Sequence, residues 1–280
     1  VILTEQTRYQ RIVLTRWRDD VRLYLNGHIQ FSSVDEARYH ESLVLPAMAA
    51  VPRPRTVLLL GGGDGMAARE VLKYDSVETI TLVDIDPAVT ELASTRDELL
   101  TMNGGSLQSP RVTVVNQDAM SFMEEDRGFY DVILADLPDP STDALAKLYS
   151  DAFYALALRR LTERGAIATQ ATSPFYAPDA YWCAVETLAA APGPEQPPLN
   201  VLPYHVHVPS FGEWGFALAS RSPLAPEELS VDVPTRFLTD EALAAMFAFG
   251  KDLDRRSVQV NRLEQPVIAR YYARGWRTFE

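Results

Sequence analysis

The hydrophobic pattern of the chain becomes regular near residue 55. From there, short continuous apolar runs alternate with stretches in which apolar residues recur at helical spacing. The runs are TVLLLGG, VETITLVDID, RVTVVNQD, YDVILADL and GAIATQAT. A strand that is buried on both faces gives such a run, so the pattern predicts a parallel sheet with helices on both sides. NVLPYHVHVP and WGFALAS follow as an antiparallel strand pair.

The first 34 residues have a different pattern. YQRIVLTRW, VRLYLNG and HIQFSS are rich in β-formers, and RDD and NG lie between them as turn signals. This predicts a small antiparallel β unit. DEARYHESLVLPAMAAV is then predicted to be a helix with Asp35 at its N-cap.

Helices are also predicted between the strands of the second part. They cover MAAREVLKY, PAVTELASTRDELL with Pro87 in its first turn, AMSFMEED, ALAKLYSDAFYALALRRL and APDAYWCAVETLAAA. Residues 191–200 and 220–237 are proline-rich connections, and the tail from Thr239 is helical and then irregular. We therefore predict an α/β protein with a Rossmann-like, seven-stranded methyltransferase-type sheet (51–280) after a small N-terminal antiparallel β domain with the first helix (1–50).

Composition narrows the classes of function. The 280 residues are 47% hydrophobic, which supports a sizeable core, and the formal charge of −12 disfavours nucleic-acid binding. That charge would attract a cationic ligand, although an acidic surface also serves solubility alone. The single cysteine, Cys183, lies among apolar helix residues and is expected in the core, and one cysteine fits a reducing compartment.

Three successive strand ends carry a candidate nucleoside site. LLLGGGDGMAARE, which includes Gly61, reads as a strand, a glycine turn and a helix. Asp84 ends the next strand, where a ribose-binding acid is expected. Asp118 ends the strand after that and could accept an adenine amino group, with Ile85 and Ala119 as walls for the ring. A glycine turn alone is a weak signal, but the three features together indicate a nucleoside site.

Asp64 lies inside the glycine loop. A phosphate or carboxylate ligand would be repelled by an acid at this position, whereas an ammonium would be attracted. The ligand is therefore expected to be a nucleoside with a cationic arm. Decarboxylated S-adenosylmethionine has such an arm, whereas intact S-adenosylmethionine also carries a carboxylate there.

Two further acids, Asp136 and Asp139, follow the fourth run, in ILADLPDPSTD. The prolines beside Asp139 stiffen this loop. Tyr39 and His40 on the first helix, and Tyr204 and Trp214 in the late aromatic segment, could supply rings and polar groups around an alkyl diammonium. A solvated acid pair, with Asp139 as a helix cap, is the alternative.

The predicted chemistry requires a neutral amine. A primary amine has a pKa near 10, so an acid must accept its proton or hold the neutral form in line with the electrophilic carbon. Asp136, nearest the nucleoside, is the candidate for orienter and base. Asp139 is the candidate for anchoring the distant ammonium.

These motifs resemble the polyamine aminopropyltransferase (spermidine synthase) family. YQRIVL, LYLNGHIQ with DEARYHE, VLLLGGGDGMAARE, VDID, NQDAM and DLPDP all have counterparts there, in the same order, between about residues 9 and 220. The resemblance implies transfer of an aminopropyl group from decarboxylated S-adenosylmethionine to putrescine or a related amine. Spermidine or another polyamine and methylthioadenosine would be the products. The donor is a co-substrate, and no cofactor or metal is implied.

The resemblance also assigns residues. It implies donor binding by Gln10, Gln30, Asp64, Asp84, Asp118 and Ala119, to which the residue pattern adds Gly61 and Ile85. It implies catalysis by Asp136 and Tyr39, and acceptor binding by Tyr39, His40, Asp64, Asp136, Asp139 and Gln170, to which the late aromatic segment adds Tyr204 and Trp214. Asp84 stands where the family usually has Glu, Met66 replaces a glycine, and the usual late Tyr-Pro pair is missing, so Tyr204 is the expected substitute.

Partners and location are further expectations from the resemblance. It implies a homodimer or homotetramer and a cytoplasmic location. YHVHVPSFGEWGF is similar to a bacterial subgroup in which the catalytic domain follows an integral-membrane segment, and the start without Met fits a cytosolic domain of such a membrane-anchored protein. His28, His205 and His207 lack metal-site spacing, so no metal site is expected, and nucleic acid is not an expected partner.

Two other functions stay open at this stage. The first is a methyltransferase that uses intact S-adenosylmethionine on the same sheet, against which Asp64 argues. The second is a polyamine-binding homologue without activity, against which the joint presence of Tyr39, Asp136 and Asp139 argues.

Overall fold

The fold consists of two sheets with helices on the larger one. A computed structural model of the chain describes residues 1–191, 197–277 and 279. Residues 192–196, inside the predicted connection at 191–200, lie outside this range. The small antiparallel sheet contains β1 Leu3–Gln6, β2 Arg11–Trp17, β3 Asp20–Leu25 and β4 His28–Ser32.

The large sheet has seven strands within the described residues, in the order β10-β11-β9-β8-β5-β6-β7. These are β5 Thr56–Gly61, β6 Thr79–Asp84, β7 Val112–Asn116, β8 Tyr130–Asp136, β9 Leu161–Gln170, β10 Asn200–Val208 and β11 Gly212–Ser220. The strands β5 to β9 pair in parallel, whereas β10 and β11 form the antiparallel hairpin at the edge. The predicted fold class is confirmed.

Helices cover both faces of the large sheet. They are α1 Glu36–Ala49, α2 Met66–Val71, α3 Pro87–Thr95, α4 Asp97–Asn103, α5 Ala119–Glu125, α6 Asp143–Ala146, α7 Asp151–Arg159, α8 Pro178–Ala190, α9 Asp240–Met246 and α10 Ile268–Trp276. Hydrophobic side chains from the two faces form separate clusters against the sheet, and a third cluster lies under the N-terminal sheet. Cys183 is fully buried, as predicted.

The structure differs from the predicted elements at several points. The predicted helix at 87–100 is two helices, because Arg96 is extended and the acidic first turn of α4 starts a new helix. The predicted helix at 144–161 is also interrupted, because the Ser150 hydroxyl accepts from the Phe153 N–H and caps α7. The polar, mostly exposed edge strand β1 lacked a hydrophobic signal.

Helix α1 belongs by packing to the large sheet. Its apolar side chains share one hydrophobic cluster with Val57 and Leu59 of β5. Asp35 precedes this helix, but its carboxylate accepts from the N–H and hydroxyl of Ser210 (2.6 and 2.9 Å) and makes no capping bond. The start of the helix is thereby fixed to the turn between β10 and β11, and Tyr39 lies at the end of β8. The domain boundary at residue 50 stays a prediction.

Candidate active site

The topology places the predicted loops at one edge of the large sheet. From β5 the chain proceeds outward to β6 and β7, and it then returns to β8 on the other side of β5. This is the topological switch point, where ligands bind in open α/β sheets. Gly61 at the end of β5 is paired in register with Asp136 at the end of β8. The glycine loop and the acidic loop are therefore direct neighbours.

Gly61 is required for this close approach. Its φ of +85° lies in the left-handed region, and a Cβ on it would come within 1.9 Å of the Asp136 carbonyl oxygen. Any other residue would push the two loops apart. Gly61, a predicted donor-site residue, is therefore required by the backbone geometry where the two loops meet.

Asp84 holds the shape of the glycine loop. Its two carboxylate oxygens accept from the backbone N–H of Gly63 (3.0 Å) and of Asp86 (2.9 Å). Burial raises the pKa of Asp84 to about 6, partly opposed by these two N–H donors and increased by the charges of Asp64 and Asp86. The predicted ribose acid therefore lies beside the glycine loop.

The other predicted donor residues surround this loop. Asp118 Oδ1 accepts from the Ser121 N–H (3.0 Å) and caps α5, and Asp118 Oδ2 accepts from Lys147 Nζ (3.0 Å). An adenine amino group that binds Oδ2 would therefore share this oxygen with the lysine. Next to the two strand ends, Ile85 is exposed and Ala119 is buried.

Two glutamines come from the N-terminal sheet. Gln10 donates to Asp86 (3.0 Å), which connects this sheet to the loop that follows Asp84. Gln30 is half-buried and donates to the carbonyl of His28 on its own strand (3.1 Å). The structure thus brings Gln10 to the loop after β6, whereas Gln30 forms its hydrogen bond within β4.

Tyr39 and Asp136 form the centre of the candidate site. The Tyr39 hydroxyl donates to Asp136 Oδ1 at 2.6 Å. Burial and the Asp136 charge raise the pKa of Tyr39 well above its usual value, so the phenol keeps its proton and acts as the donor. Phe211 contacts the Tyr39 ring edge-on, and Trp214 contacts Phe211. Phe211 is thus a further ring in the candidate site, and it was not predicted. The only sequence signal for it was the density of aromatic residues in this segment.

Burial raises the pKa of both acids in the second loop. Burial raises the pKa of Asp136 to about 6, opposed by the His40 charge and increased by the Asp64 charge. Burial likewise raises the pKa of Asp139 to about 6, opposed by hydrogen bonds from Tyr272 and Gln170. Both residues are half-buried. Two carboxylates in this environment suit a cationic ligand.

Gln170 supports Asp139 from the end of β9. Its Nε2 donates to the Leu137 carbonyl (2.6 Å) and weakly to Asp139 Oδ1 (3.4 Å), and it also contacts the hydroxyl of Tyr149. Tyr149 and Tyr272 were not predicted as site residues. Tyr149 lay inside a predicted helix, and Tyr272 lies in a tail without a recognisable motif, so neither had a local signal.

His40 lies behind the pocket wall. It is 1% exposed, and its Nδ1 donates to Glu36 Oε2 at 2.9 Å. Burial by itself would lower the pKa of His40, but the Glu36 hydrogen bond and the charges of Asp64 and Asp136 raise it to about 9. His40 is therefore expected to carry a positive charge near Asp64 and Asp136. Its position corrects the expectation that it binds the amine directly.

Tyr204 is also corrected. Its side chain is fully buried, its ring stacks on Phe216, and its hydroxyl donates to the Ser42 carbonyl (3.0 Å). Phe216 contacts the rings of both Tyr204 and Tyr39, so Tyr204 lies in the core and does not line the predicted acceptor pocket. The apolar environment of the hairpin, which the local sequence did not reveal, directs this ring inward.

The described residues contain neither a metal site nor a membrane-spanning helix. Among residues 1–191, 197–277 and 279, no group of three or more His, Cys, Asp or Glu residues is arranged to hold a metal ion. His205 and His207 both contact Glu213, as expected for one strand face. No helix in the described part of the chain has the length and apolarity needed to cross a membrane.

Comparisons with known proteins agree with this arrangement. The sequence model of the spermine/spermidine synthase domain matches residues 36–229. The chain is 47% identical to polyamine aminopropyltransferases of Leptospira interrogans (over 99% of this chain) and Oceanobacillus iheyensis (over 100%), and it covers 54% of each. It thus spans about half the length of these relatives.

Two solved structures are similar over most of the chain. One is a spermidine synthase in complex with the transition-state analogue AdoDATO, with a TM-score of 0.81 and 28% identity over 90% of this chain and 87% of that one. The other is spermidine synthase from Thermotoga maritima, with a TM-score of 0.80, 28% identity and the same coverage.

Proposed function

The chain belongs to the spermine/spermidine synthase family, and from that membership we propose that it is an aminopropyltransferase. The proposed donor is decarboxylated S-adenosylmethionine, and the proposed acceptor is putrescine or a related amine. Spermidine or another polyamine is the product, and methylthioadenosine is released. The observation that carries the proposal is the Tyr39–Asp136 pair beside Asp139, next to the glycine loop with Asp64.

The proposed reaction is a single displacement. The lone pair of the acceptor nitrogen attacks the aminopropyl carbon next to the sulfonium. The carbon–sulfur bond breaks, and its electron pair neutralises the sulfur. The attacking nitrogen must lose a proton, which Asp136 accepts. Because the sulfonium carbon is already electrophilic, the donor serves as a co-substrate and the step uses no separate cofactor.

The raised pKa of Asp136 fits the role of base. An ordinary aspartate lies about six pKa units below an alkylammonium, so the proton transfer would cost about 8 kcal/mol. With a pKa of about 6 for Asp136, the gap is about four units, or roughly 5 kcal/mol. Positive charge on the bound donor would narrow the gap further by lowering the pKa of the amine. Tyr39 fixes the direction of the carboxylate.

The residue roles follow from position. Asp64, in the glycine loop at 8% exposure, would hold the ammonium of the donor's aminopropyl arm. Gln10, Gln30, Asp84, Ile85, Asp118 and Ala119 would surround the nucleoside. Asp139 would receive the far ammonium of the acceptor, with Gln170, which is 2% exposed, supporting its carboxylate from behind, and Trp214 would contact the methylenes of the acceptor. We do not assign direct amine contacts to His40 or Tyr204.

Assembly and location follow from the family resemblance. We propose a homodimer or homotetramer that contains the N-terminal β unit in its interface, and a cytoplasmic site of action. Neither alternative function has support among the relatives described above, which are named as aminopropyltransferases.

The decisive test is a panel of amines. The purified protein is mixed with decarboxylated S-adenosylmethionine and with putrescine, cadaverine, agmatine or a triamine, and the products are identified by mass spectrometry. We expect methylthioadenosine and one aminopropylated amine in equal amounts. If no amine yields methylthioadenosine, or if intact S-adenosylmethionine gives a methylated product, the proposal is wrong.

The pH dependence provides a separate prediction. Asp136 and Asp139, each with a raised pKa of about 6, must be ionised to act, so kcat/KM for the amine should fall below about pH 6. With the donor saturating, two protons should enter this acidic limb, and Asp139→Asn should reduce it to one. Stability should change in the opposite direction: because folding raises the pKa values of Asp84, Asp136 and Asp139, the unliganded protein loses stability between about pH 4 and 6 as these acids ionise. An acidic limb unchanged by Asp139→Asn would contradict the assignment.

A further inference from the structure

The C-terminal tail reaches the acceptor end of the candidate site. The hydroxyl of Tyr272 on α10 donates to Asp139 Oδ2 at 3.1 Å, although the two residues are far apart in sequence. Tyr272 is 9% exposed, so this bond is largely shielded from water. The tail follows the residues that match the family's sequence model, which end at 229. No motif in the sequence assigns a role to this residue.

A buried asparagine fixes the tail to helices α6 and α8. Asn261 is fully buried, and its Nδ2 donates to the Ala146 carbonyl (2.8 Å). Its Oδ1 accepts from the N–H of Val267 (2.9 Å) at the start of α10, and its own N–H donates to Thr187 on α8 (2.9 Å). A buried amide with partners on both its nitrogen and its oxygen holds its neighbours in one arrangement. The position of α10 beside the acidic loop is therefore specified.

The far end of α10 is held against the segment after β9. A Cβ on Gly275 would come within 2.5 Å of the Tyr176 carbonyl oxygen, so only glycine permits this approach. The ring of Trp276 stacks on Tyr176, with 4.9 Å between the ring centroids. Both ends of α10 are thus fixed, and Tyr272 lies between them.

The bonds at Asp139 leave room for a ligand. Gln170 approaches Oδ1, and Tyr272 donates to Oδ2. An ionised carboxylate has about four acceptor positions, so each oxygen can still accept from an ammonium. Gln170 is itself held by the Leu137 carbonyl and by the Thr172 N–H, which donates to Gln170 Oε1 (2.8 Å). The two donors together define the plane of the carboxylate.

We propose that Tyr272 is a positioning residue of the acceptor site, and that it orients Asp139 toward the far ammonium of a diamine. This inference rests on the proposed function. It makes the C-terminal helix a determinant of acceptor selectivity: an acceptor with a second ammonium uses the oriented carboxylate, whereas a monoamine of equal length does not.

The test is Tyr272→Phe, which removes one hydroxyl and keeps the ring. We expect KM for putrescine to rise by about tenfold, as for the loss of one hydrogen bond to a charged group, with kcat changed less than about threefold. The kinetic constants for n-butylamine, which lacks the far ammonium, should change little. The ratio of kcat/KM for the diamine to that for the monoamine should therefore fall.

The matched control is Tyr271→Phe on the same helix. The Tyr271 hydroxyl accepts from the Gln259 N–H within the tail, so its loss tests the packing of α10 alone. We expect this variant to keep the wild-type selectivity ratio and a similar melting temperature. If Tyr271→Phe lowers the ratio as much as Tyr272→Phe does, the effect is a general one of the helix and the proposal is wrong.

Two measurements test whether Tyr272 acts through Asp139. In a double-mutant cycle, Tyr272→Phe should add little to Asp139→Asn. The acidic limb of kcat/KM should also move to higher pH in Tyr272→Phe, because the ionised form of Asp139 loses a donor. Additive effects and an unmoved limb would overturn the inference. A wild-type protein that forms no methylthioadenosine would instead refute the proposed function, so the two failures are distinct.

Discussion

Asp136→Asn should lower kcat by at least about a hundredfold, the usual contribution of a positioned general base. The carboxamide can still accept from the Tyr39 hydroxyl, which now lies 2.6 Å from Asp136 Oδ1, so the geometry of the pocket should persist. What is lost is the group that takes a proton from the amine. Single-turnover kinetics with saturating decarboxylated donor and putrescine would measure this loss directly.

Donor binding separates this effect from misfolding. The dissociation constant of the decarboxylated donor, measured by calorimetry, should stay within a few-fold of the wild-type value. Asp139→Asn is the matched control at the other acid of the loop, and it should act mainly on KM for the diamine. Near-normal turnover by Asp136→Asn would remove this residue from the mechanism.

Asp64→Asn should abolish most of the discrimination between the decarboxylated donor and intact S-adenosylmethionine. Asp64 Oδ1 accepts from the Met66 N–H at 2.9 Å, and an asparagine oxygen can keep this bond while the charge is lost. A buried, charge-assisted contact with an ammonium contributes about 1.5–3 kcal/mol, so affinity for the decarboxylated donor should fall about 10–100-fold. Repulsion of the carboxylate on intact S-adenosylmethionine should weaken at the same time.

The measured quantity is the ratio of the two dissociation constants. Asp139→Asn again serves as the control, because it removes an acid from the acceptor side and should leave the ratio unchanged. A ratio that is the same in Asp64→Asn and in the wild type would show that the glycine-loop acid does not select the donor. The proposed family reaction could then still hold, but its electrostatic basis would not.

Local patterns were sufficient for most of the fold. Continuous apolar runs identified the five parallel strands, because a strand buried on both faces must be apolar throughout. Pro87 marked the first turn of α3, as the structure shows. Asp84 and Asp136 were found because they end apolar runs, and the ends of parallel strands meet at one edge of the sheet.

Local rules failed where a distant partner competed for a side chain. Asp35 occupies the N-cap position but binds Ser210, a residue far along the chain. Tyr204 has the composition of a binding residue but is drawn into the core by Phe216 and by the Ser42 carbonyl. Both outcomes depend on contacts that no window of sequence contains.

The sequence by itself determined the class of fold and the acids at the strand ends, because both follow from short-range patterns, and its motifs carried the resemblance to the family. Only the tertiary structure decided how these acids are held. It placed Tyr39 on Asp136, buried His40 against Glu36, and brought Tyr272 from the tail to Asp139. Hydrogen bonds between distant segments depend on packing of the whole chain, and burial there gives Asp136 and Asp139 the raised pKa values on which the proposed chemistry depends.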